Sequence, residues 1–283
     1  MRVVKSVVEM QHEADRLRVE GKHIGLVPTM GYLHNGHLQL IEQAKRMCDA
    51  VIVSMFVNPT QFGPNEDFAR YPRDFERDKR LALRWEADFL FNPETKDMYV
   101  PDYGTYVEEQ EASHILEGKI RPTHFRGVAT VVAKLLNICK PHFAVFGQKD
   151  AQQVFIIKKM VRDLNFDVSV FVVPIVREAD GLAMSSRNVY LSPEERANAT
   201  VLHESLKYAE KKIKDGERNV KNLQSQMQQM IRSKGAPSVD YVAVIDPEMF
   251  RETDTITKPT VLVALAVRFG STRLIDNALI STE

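Results

Sequence analysis

Ile24-Gly25-Leu26-Val27-Pro28-Thr29-Met30-Gly31-Tyr32-Leu33-His34-Asn35-Gly36-His37 is the stretch that decides the fold. The run Ile24–Val27 is apolar and short, as a buried strand should be, and a proline and a glycine follow it. Beyond Gly36 the pattern changes: Leu38, Ile41, Ala44 and Cys48 recur at spacings of three and four, which is one face of a helix. Strand, glycine turn and helix make the first half of a βαβ unit. The same alternation continues outward. Apolar runs at Val51–Val57, Asp88–Phe91, Phe143–Phe146 and Val168–Val173 are separated by helical patterns near Asp74–Trp85, Phe125–Ile138 and Ala151–Leu164. Strands joined through helices require crossovers, hence a parallel sheet covered on both faces. A doubly wound, Rossmann-like α/β domain is expected over residues 1–176.

The remaining residues, 177–283, read as a smaller α+β domain. Ser192-Pro193-Glu194-Glu195 combines a cap, a first-turn proline and acids at the positive end of the dipole. The helix it starts is expected to run to about Lys214 and stop at Asp215-Gly216. A second helix is expected at Val220–Ser233, ending before Gly235-Ala236-Pro237, followed by strands at Val239–Ile245, Val261–Arg268 and Arg273–Ala278.

The 283 residues carry 38 Lys+Arg and 38 Asp+Glu, with 44 % hydrophobic content. Ample apolar content with zero net charge excludes a mainly disordered chain. It also disfavours a general nucleic-acid binder, which needs excess positive charge. Apolar stretches such as Val261–Val267 fall far short of the ~18 residues that span a bilayer, so no membrane association is expected. The N-terminus shows no apolar secretory core, and Cys48 and Cys139 are too few for a disulfide framework. Reduced, buried thiols in a cytoplasmic protein are expected.

In open α/β sheets ligands sit beyond the carboxyl ends of the strands, and four such positions are polar. After the first strand, Gly31 and Gly36 let backbone approach a ligand, and the helix N-terminus offers N–H groups to an anion. His34 and His37, three apart, can place both imidazoles on one side, where two donors would stabilise charge during attack at phosphorus. A zinc pair or two solvated histidines are the alternatives, the former short of ligands. After the second strand, Asn58-Pro59-Thr60-Gln61-Phe62 leaves two amides at the strand mouth, suited to a small hydroxy-acid or equally to a polar turn. Phe146-Gly147-Gln148-Lys149-Asp150 places Lys149 to pair with triphosphate oxygens and Asp150 to accept from ribose or to cap a helix carrying Gln152 and Gln153. Asp180-Gly181-Leu182-Ala183-Met184-Ser185-Ser186-Arg187-Asn188 is either a linker between domains or, better given its place at the boundary, a Gly-led closing loop with a phosphate clamp. Arg121 and Arg126 are candidates for a substrate carboxylate or for surface ion pairs. Trp85 reads as core, and the charge run Glu76–Arg80 as a solvated helix face. Neither a Walker motif nor Gly-x-Gly-x-x-Gly is present.

Together these residues resemble a known family. His34-Asn35-Gly36-His37 is similar to the His-x-Gly-His signature of the HIGH nucleotidyltransferases, and Met184-Ser185-Ser186-Arg187 to their KMSKS-type loop. Pro28–His37, Phe56–Phe62, His124–Val128, Phe146–Gln153, Asp180–Asn188 and Arg273–Asn277 arrive in the order of the pantoate–β-alanine ligases; Gln148 stands where some members carry Glu.

The resemblance implies an AMP-forming ligation of pantoate to β-alanine through pantoyl adenylate, with release of diphosphate. It implies ATP contacts from Met30, Gly31, Tyr32, Leu33, His34, Asn35, Gly36, His37, Gly147, Gln148, Lys149, Asp150, Val176, Met184, Ser185, Ser186 and Arg187. Pantoate would meet Asn58, Gln61 and Gln153, and β-alanine would meet Gln61. His34, His37 and Lys149 would be the catalytic groups, with His37 the family's proton donor. In the reaction so implied the attacking carboxylate is already ionised, which favours His34 and His37 as hydrogen-bond donors to transition-state charge. Mg2+ would arrive on the ATP phosphates, with no protein ligand assigned, and a cytoplasmic homodimer is implied. The rivals are another HIGH-type adenylyltransferase and a non-catalytic nucleotide-binding module.

Overall fold

The computed structural model describes every residue except Asn65, Ala236, Pro237 and Glu283. The chain forms two compact units. One comprises residues 1–148 and 152–174; the other comprises 149–151 and 175 onward. The division therefore falls after Pro174 rather than after Val176, and a three-residue segment around Lys149 groups with the second unit.

The first unit contains β1 (Arg2–Val4), α1 (Val7–Val19), β2 (Ile24–Thr29), α2 (Asn35–Met47), β3 (Ala50–Met55), α3 (Phe75–Arg84), β4 (Phe89–Phe91), α4 (Thr95–Met98), α5 (Glu117–Ile120), α6 (His124–Cys139), β5 (Phe143–Gly147), α7 (Ala151–Asp163) and β6 (Ser169–Val173). The six strands pair in the order β1-β4-β3-β2-β5-β6, all parallel. The expected doubly wound sheet is present, with β1 and α1 added at its start. From β2 the chain steps to β3 and then β4, and returns to lay β5 on the other side of β2. The topological switch point, where such sheets bind ligands, therefore lies between β2 and β5. Pro28 is tolerated in this central strand because pairing with β5 covers Gly25 and Leu26, short of the proline. Ile24, Leu26, Ile52, Phe91 and the apolar face of α6 fill a core on one side of the sheet, and Val27, Ile41, Val53 and Leu90 one on the other.

The second unit contains α8 (Pro193–Asn198), α9 (Val201–Lys214), α10 (Val220–Ser233), β7 (Ser238–Asp246), β8 (Arg251–Glu252), β9 (Thr260–Phe269) and β10 (Thr272–Ser281). Its sheet has the order β10-β9-β7-β8 and is antiparallel, with α9 and α10 sharing its core. The helix begun at Ser192 stops at Asn198 instead of continuing to Lys214. The Thr200 hydroxyl donates to the Ala197 carbonyl and to Glu204 Oε1, so the helix restarts rather than running through. The Ala236-Pro237 stop after α10 lies outside the described residues. No helix among the described residues is long and apolar enough to cross a membrane.

Candidate active site

The turn after β2 is shaped by backbone geometry and braced by side chains. Gly31 sits at φ +82° and Tyr32 at φ +50°, a conformation that glycine accepts readily and tyrosine does not. Thr29 Oγ1 accepts the Gly31 N–H at 3.1 Å and donates to the Ser54 carbonyl at 2.7 Å. The successive N–H groups of Tyr32 and Leu33 both donate to the Asp78 carboxylate, at 2.5 and 2.8 Å. Consecutive backbone amides of this kind make an anion-binding nest, here filled by the protein's own carboxylate. Arg77, beside it on α3, donates to the Leu33 carbonyl at 2.9 Å and to Asp78 Oδ1 at 3.1 Å, and lies over the Tyr32 ring. Burial pushes the Asp78 carboxyl above its usual range, and the two amides pull against that shift.

His34 and His37 form a reciprocal cap at the start of α2. His34 Nδ1 accepts the Gly36 N–H at 3.1 Å, while His37 Nδ1 accepts the His34 N–H at 3.3 Å. The rings lie 4.0 Å apart, tilted by 33°. With both Nδ1 atoms accepting, each neutral ring carries its proton on Nε2. The cap thus holds both imidazoles at the start of a helix, whose N-terminal end favours negative charge.

At the mouth of β3 the amide pair is ordered. Asn58, 1 % exposed, donates through Nδ2 to Gln61 Oε1 and to the Gly127 carbonyl, both at 3.1 Å. Its Oδ1 accepts the Thr60 N–H, the Thr60 hydroxyl and the Tyr99 hydroxyl. Both ends of Asn58 are thus engaged by protein, and its effect is to fix the orientation of Gln61. With Oε1 accepting, Gln61 points Nε2 the other way, where Met30 Sδ lies at 2.9 Å. Burial pushes the Tyr99 hydroxyl up to about 12, so it remains a neutral donor to Asn58. The Gln61 carbonyl accepts from Arg121 at 3.2 Å and meets His124 Nδ1 at 2.9 Å. A carbonyl can only accept, so His124 carries its proton on Nδ1; burial and the Arg121 charge push it down to about 4. Gly127 allows α6 to approach this turn: a Cβ there would lie 2.4 Å from the Thr60 carbonyl oxygen.

Arg121 does not stand ready for a substrate carboxylate. It forms a two-pronged ion pair with Glu66, each contact 2.7 Å. Arg126 lies over the Tyr106 ring at 4.9 Å. On α7 the two glutamines divide. Gln152 is buried, donating to the carbonyls of Ala112 and Ile115 and accepting the Glu117 N–H. Gln153 is half-buried on the next position. Gly147 ends β5 beside β2, and Gln148 opens the short turn before α7.

In the second unit, Lys149 lies 3.5 Å from Asp150 Oδ1, and its carbonyl accepts from Asn277 Nδ2 at 2.9 Å. The segment expected as a Gly-led closing loop is a braced hairpin. The Val176 carbonyl accepts the Met184 N–H at 3.0 Å, Glu178 and Leu182 pair at 2.8 Å, and Arg177 and Ala183 form a β-bridge. Ser185 caps a short 3-10 turn through Arg187, with Ser186 buried within it. Glu178 anchors the hairpin to Asn188 at 3.0 Å and to Arg196 at 2.6 Å.

Asp78 was hidden in a charge run expected to be a solvated helix face. Its signal was its position: Phe75, Asp78 and Ala82 recur at three and four, on the buried face of α3. Trp85, expected in the core, only half-buries itself at the end of that helix. Tyr99 and Arg177 carried no sequence signal, because neither adjoins a strand mouth in a recognisable motif.

A parallel sheet whose switch-point turn leads into a helix with a paired-histidine cap is a frame suited to an anionic ligand. A family model described as pantoate-beta-alanine ligase matches residues 2–279. A pantothenate synthetase of Acetivibrio thermocellus is 53 % identical over 280 residues, covering 99 % of each chain. One from Thermotoga petrophila is 51 % identical, covering 99 % of this chain and 100 % of its own. The crystal structure of pantothenate synthetase from Thermus thermophilus superposes with a TM-score of 0.92 at 44 % identity, covering 98 % of this chain and 99 % of that one. The pantoate-beta-alanine ligase of Francisella tularensis, complexed with beta-gamma ATP and beta-alanine, gives 0.82 at 37 % identity, covering 99 % and 97 %. The chain belongs to the pantoate-beta-alanine ligase family.

Proposed function

We propose that this protein condenses pantoate with β-alanine at the expense of ATP, forming pantothenate, AMP and diphosphate. Family membership over nearly the whole chain supports the overall reaction. The observation that carries the chemistry is the reciprocal histidine cap, which holds both imidazoles at a helix N-terminus. Pantoate carboxylate attacks the α-phosphorus of ATP, diphosphate leaves, and the β-alanine amine then attacks the acyl carbon of pantoyl adenylate. The carboxylate brings no proton and diphosphate leaves as a stable anion, so His34 and His37 serve as donors to the charge that grows on phosphorus-bound oxygen. Met30, Gly31, Asn35 and Gly36 form the wall along which the nucleotide lies. Tyr32 and Leu33 hold the turn through Asp78 rather than lending those two amides to phosphate.

Lys149 meets the triphosphate with Gln148 and Gly147 beside it, and Asp150 accepts from ribose. Val176 holds the clamp hairpin by its carbonyl, and Met184, Ser185, Ser186 and Arg187 take the phosphates. Gln61 donates through Nε2 to pantoate and lies near β-alanine; Asn58 acts on pantoate by orienting Gln61, and Gln153 completes the pantoate pocket. Among the described residues no cluster of three or more His, Cys, Asp or Glu is placed to hold a metal ion, and magnesium is assigned to the ATP phosphates, where it would offset charge on the leaving diphosphate. A cytoplasmic homodimer belongs to the same proposal.

The test is diphosphate release from ATP with pantoate alone, followed by AMP formation on adding β-alanine. A pantoate-dependent burst near one equivalent, with turnover only after β-alanine, is expected. Release driven by a different acid overturns the substrate, and no release with any acid overturns the enzyme reading.

A further inference from the structure

Arg273–Asn277, the last stretch that resembles the family, has no part in the chemistry above, yet two of its residues reach segments that do. Both Asp276 and Asn277 are buried on β10. They lie next to each other in a strand, so their side chains leave opposite faces. From one face the Asp276 carboxylate takes both arms of the Arg177 guanidinium, at 2.6 and 3.0 Å, and is itself 1 % exposed. Arg177 opens the clamp hairpin and also donates to the Gly181 carbonyl at 3.1 Å. From the other face Asn277 Nδ2 donates to the Lys149 carbonyl at 2.9 Å, and the Asn277 N–H donates to Asp276 Oδ1 at 2.8 Å. A continuous set of hydrogen bonds therefore runs from Gly181 through Arg177, Asp276 and Asn277 to Lys149, all within the second unit.

We infer that Arg177, Asp276 and Asn277 are positioning residues that hold the Lys149 segment and the clamp hairpin in register with each other. A two-pronged Arg–carboxylate pair fixes direction as well as distance, and a buried amide with a definite partner fixes the peptide it binds. Lys149, Asp150 and Ala151 group with the second unit, although the residues flanking this segment, Gln148 and Gln152, group with the first. The effect on catalysis is indirect, passing through where the Lys149 ammonium sits against the ATP phosphates. The inference rests on the reading that Lys149 and the hairpin meet the triphosphate.

The experiment compares wild type with Asn277→Ala, Lys149→Ala and the double variant in pantoate-dependent diphosphate release, with thermal midpoints alongside. Arg177→Lys is a second probe, since a lysine is a point charge that cannot keep two arms on Asp276 and a third contact on Gly181. Asn277→Ala is expected to lower the rate about tenfold, with pantoate KM unchanged. In the Lys149→Ala background the same substitution is expected to cost less than twofold, because residues acting through one group are non-additive. A wild-type rate in Asn277→Ala, or losses that multiply in the double variant, overturns the inference. If Asn277→Ala does not fold, Arg177→Lys with Lys149→Ala runs the same cycle and is judged the same way. Absence of diphosphate release from wild type overturns the proposed function itself, which keeps the two failures apart.

Discussion

Asp78 and Leu33 stand 45 positions apart in sequence, and the carboxylate of one accepts the N–H of the other at 2.8 Å. With the neighbouring contact to Tyr32, this makes Asp78 the internal anion of the turn that presents the paired histidines. In Asp78→Asn the side chain keeps its shape but offers one good acceptor and adds two donors opposite two N–H groups. A buried amide then lacks a partner, at a cost of about 1–3 kcal/mol. Urea unfolding is expected to show a lower midpoint at unchanged slope, and the diphosphate burst is expected to slow. An unaltered midpoint would show that the turn holds its shape without this carboxylate.

His37→Ala removes both a cap acceptor for the His34 N–H and an Nε2–H donor. The rate of pantoate-dependent diphosphate release is expected to fall by ~10²–10³, the range for losing one donor to transition-state charge. Near-wild-type release in rapid-quench experiments would sink the assignment.

Gln61→Ala is expected to weaken pantoate binding and leave ATP binding largely intact, as read by calorimetry with each ligand. Tyr99→Phe gives a graded counterpart. It deletes one of the donors that orient Asn58, and so loosens Gln61 without touching it. Its pantoate affinity should lie between those of wild type and Gln61→Ala. Equal losses for both ligands would mean that the amide pair serves the whole site rather than pantoate.

His124 supplies a pH signature. Its value is pushed down from 6.5 to about 4, so the folded protein binds fewer protons than the unfolded chain between those limits. Stability from keeping the ring neutral is fully present above pH 6.5 and is lost as pH falls through about 4. The span corresponds to at most about 3 kcal/mol at 1.36 kcal/mol per pH unit. Unfolding free energies measured from pH 7 to pH 4 should fall less steeply in His124→Gln than in wild type. Parallel curves would show that other groups carry the acid sensitivity.

Gly127→Ala tests the close approach of α6 to the amide turn. A Cβ within 2.4 Å of the Thr60 oxygen forces helix or turn to move, at about 1–3 kcal/mol for overpacking of this kind. A lower thermal midpoint together with weaker pantoate binding is expected. Full affinity with reduced stability would show that the helix yields and the turn does not.

Much of the architecture was legible because burial imposes a period on the sequence. Leu38, Ile41 and Ala44 announced α2, and the β-branched runs announced the central strands. The opening helix α1 carried the same kind of spacing in Val7, Met10, Ala14 and Leu17 and was open to the same reading, whereas β1 and β8 are too short to show any period. His34, Gln61 and Lys149 stood out in the sequence because they fall in the turns that follow strands. The residues that orient them come from elsewhere in the chain. Asp78 looked like one charge among many, and Asn277 like an ordinary strand polar group. Only the packed structure shows that each is aimed at a particular backbone group.

The passage of residues 149–151 into the second unit and back means that no single cut in the polypeptide separates the two units. A fragment ending at Pro174 would carry away the carbonyl that Asn277 holds, and a fragment beginning at Ile175 would retain the clamp hairpin without its lysine. Complementation by two such pieces would have to restore the hydrogen bond from Asn277 to the Lys149 carbonyl.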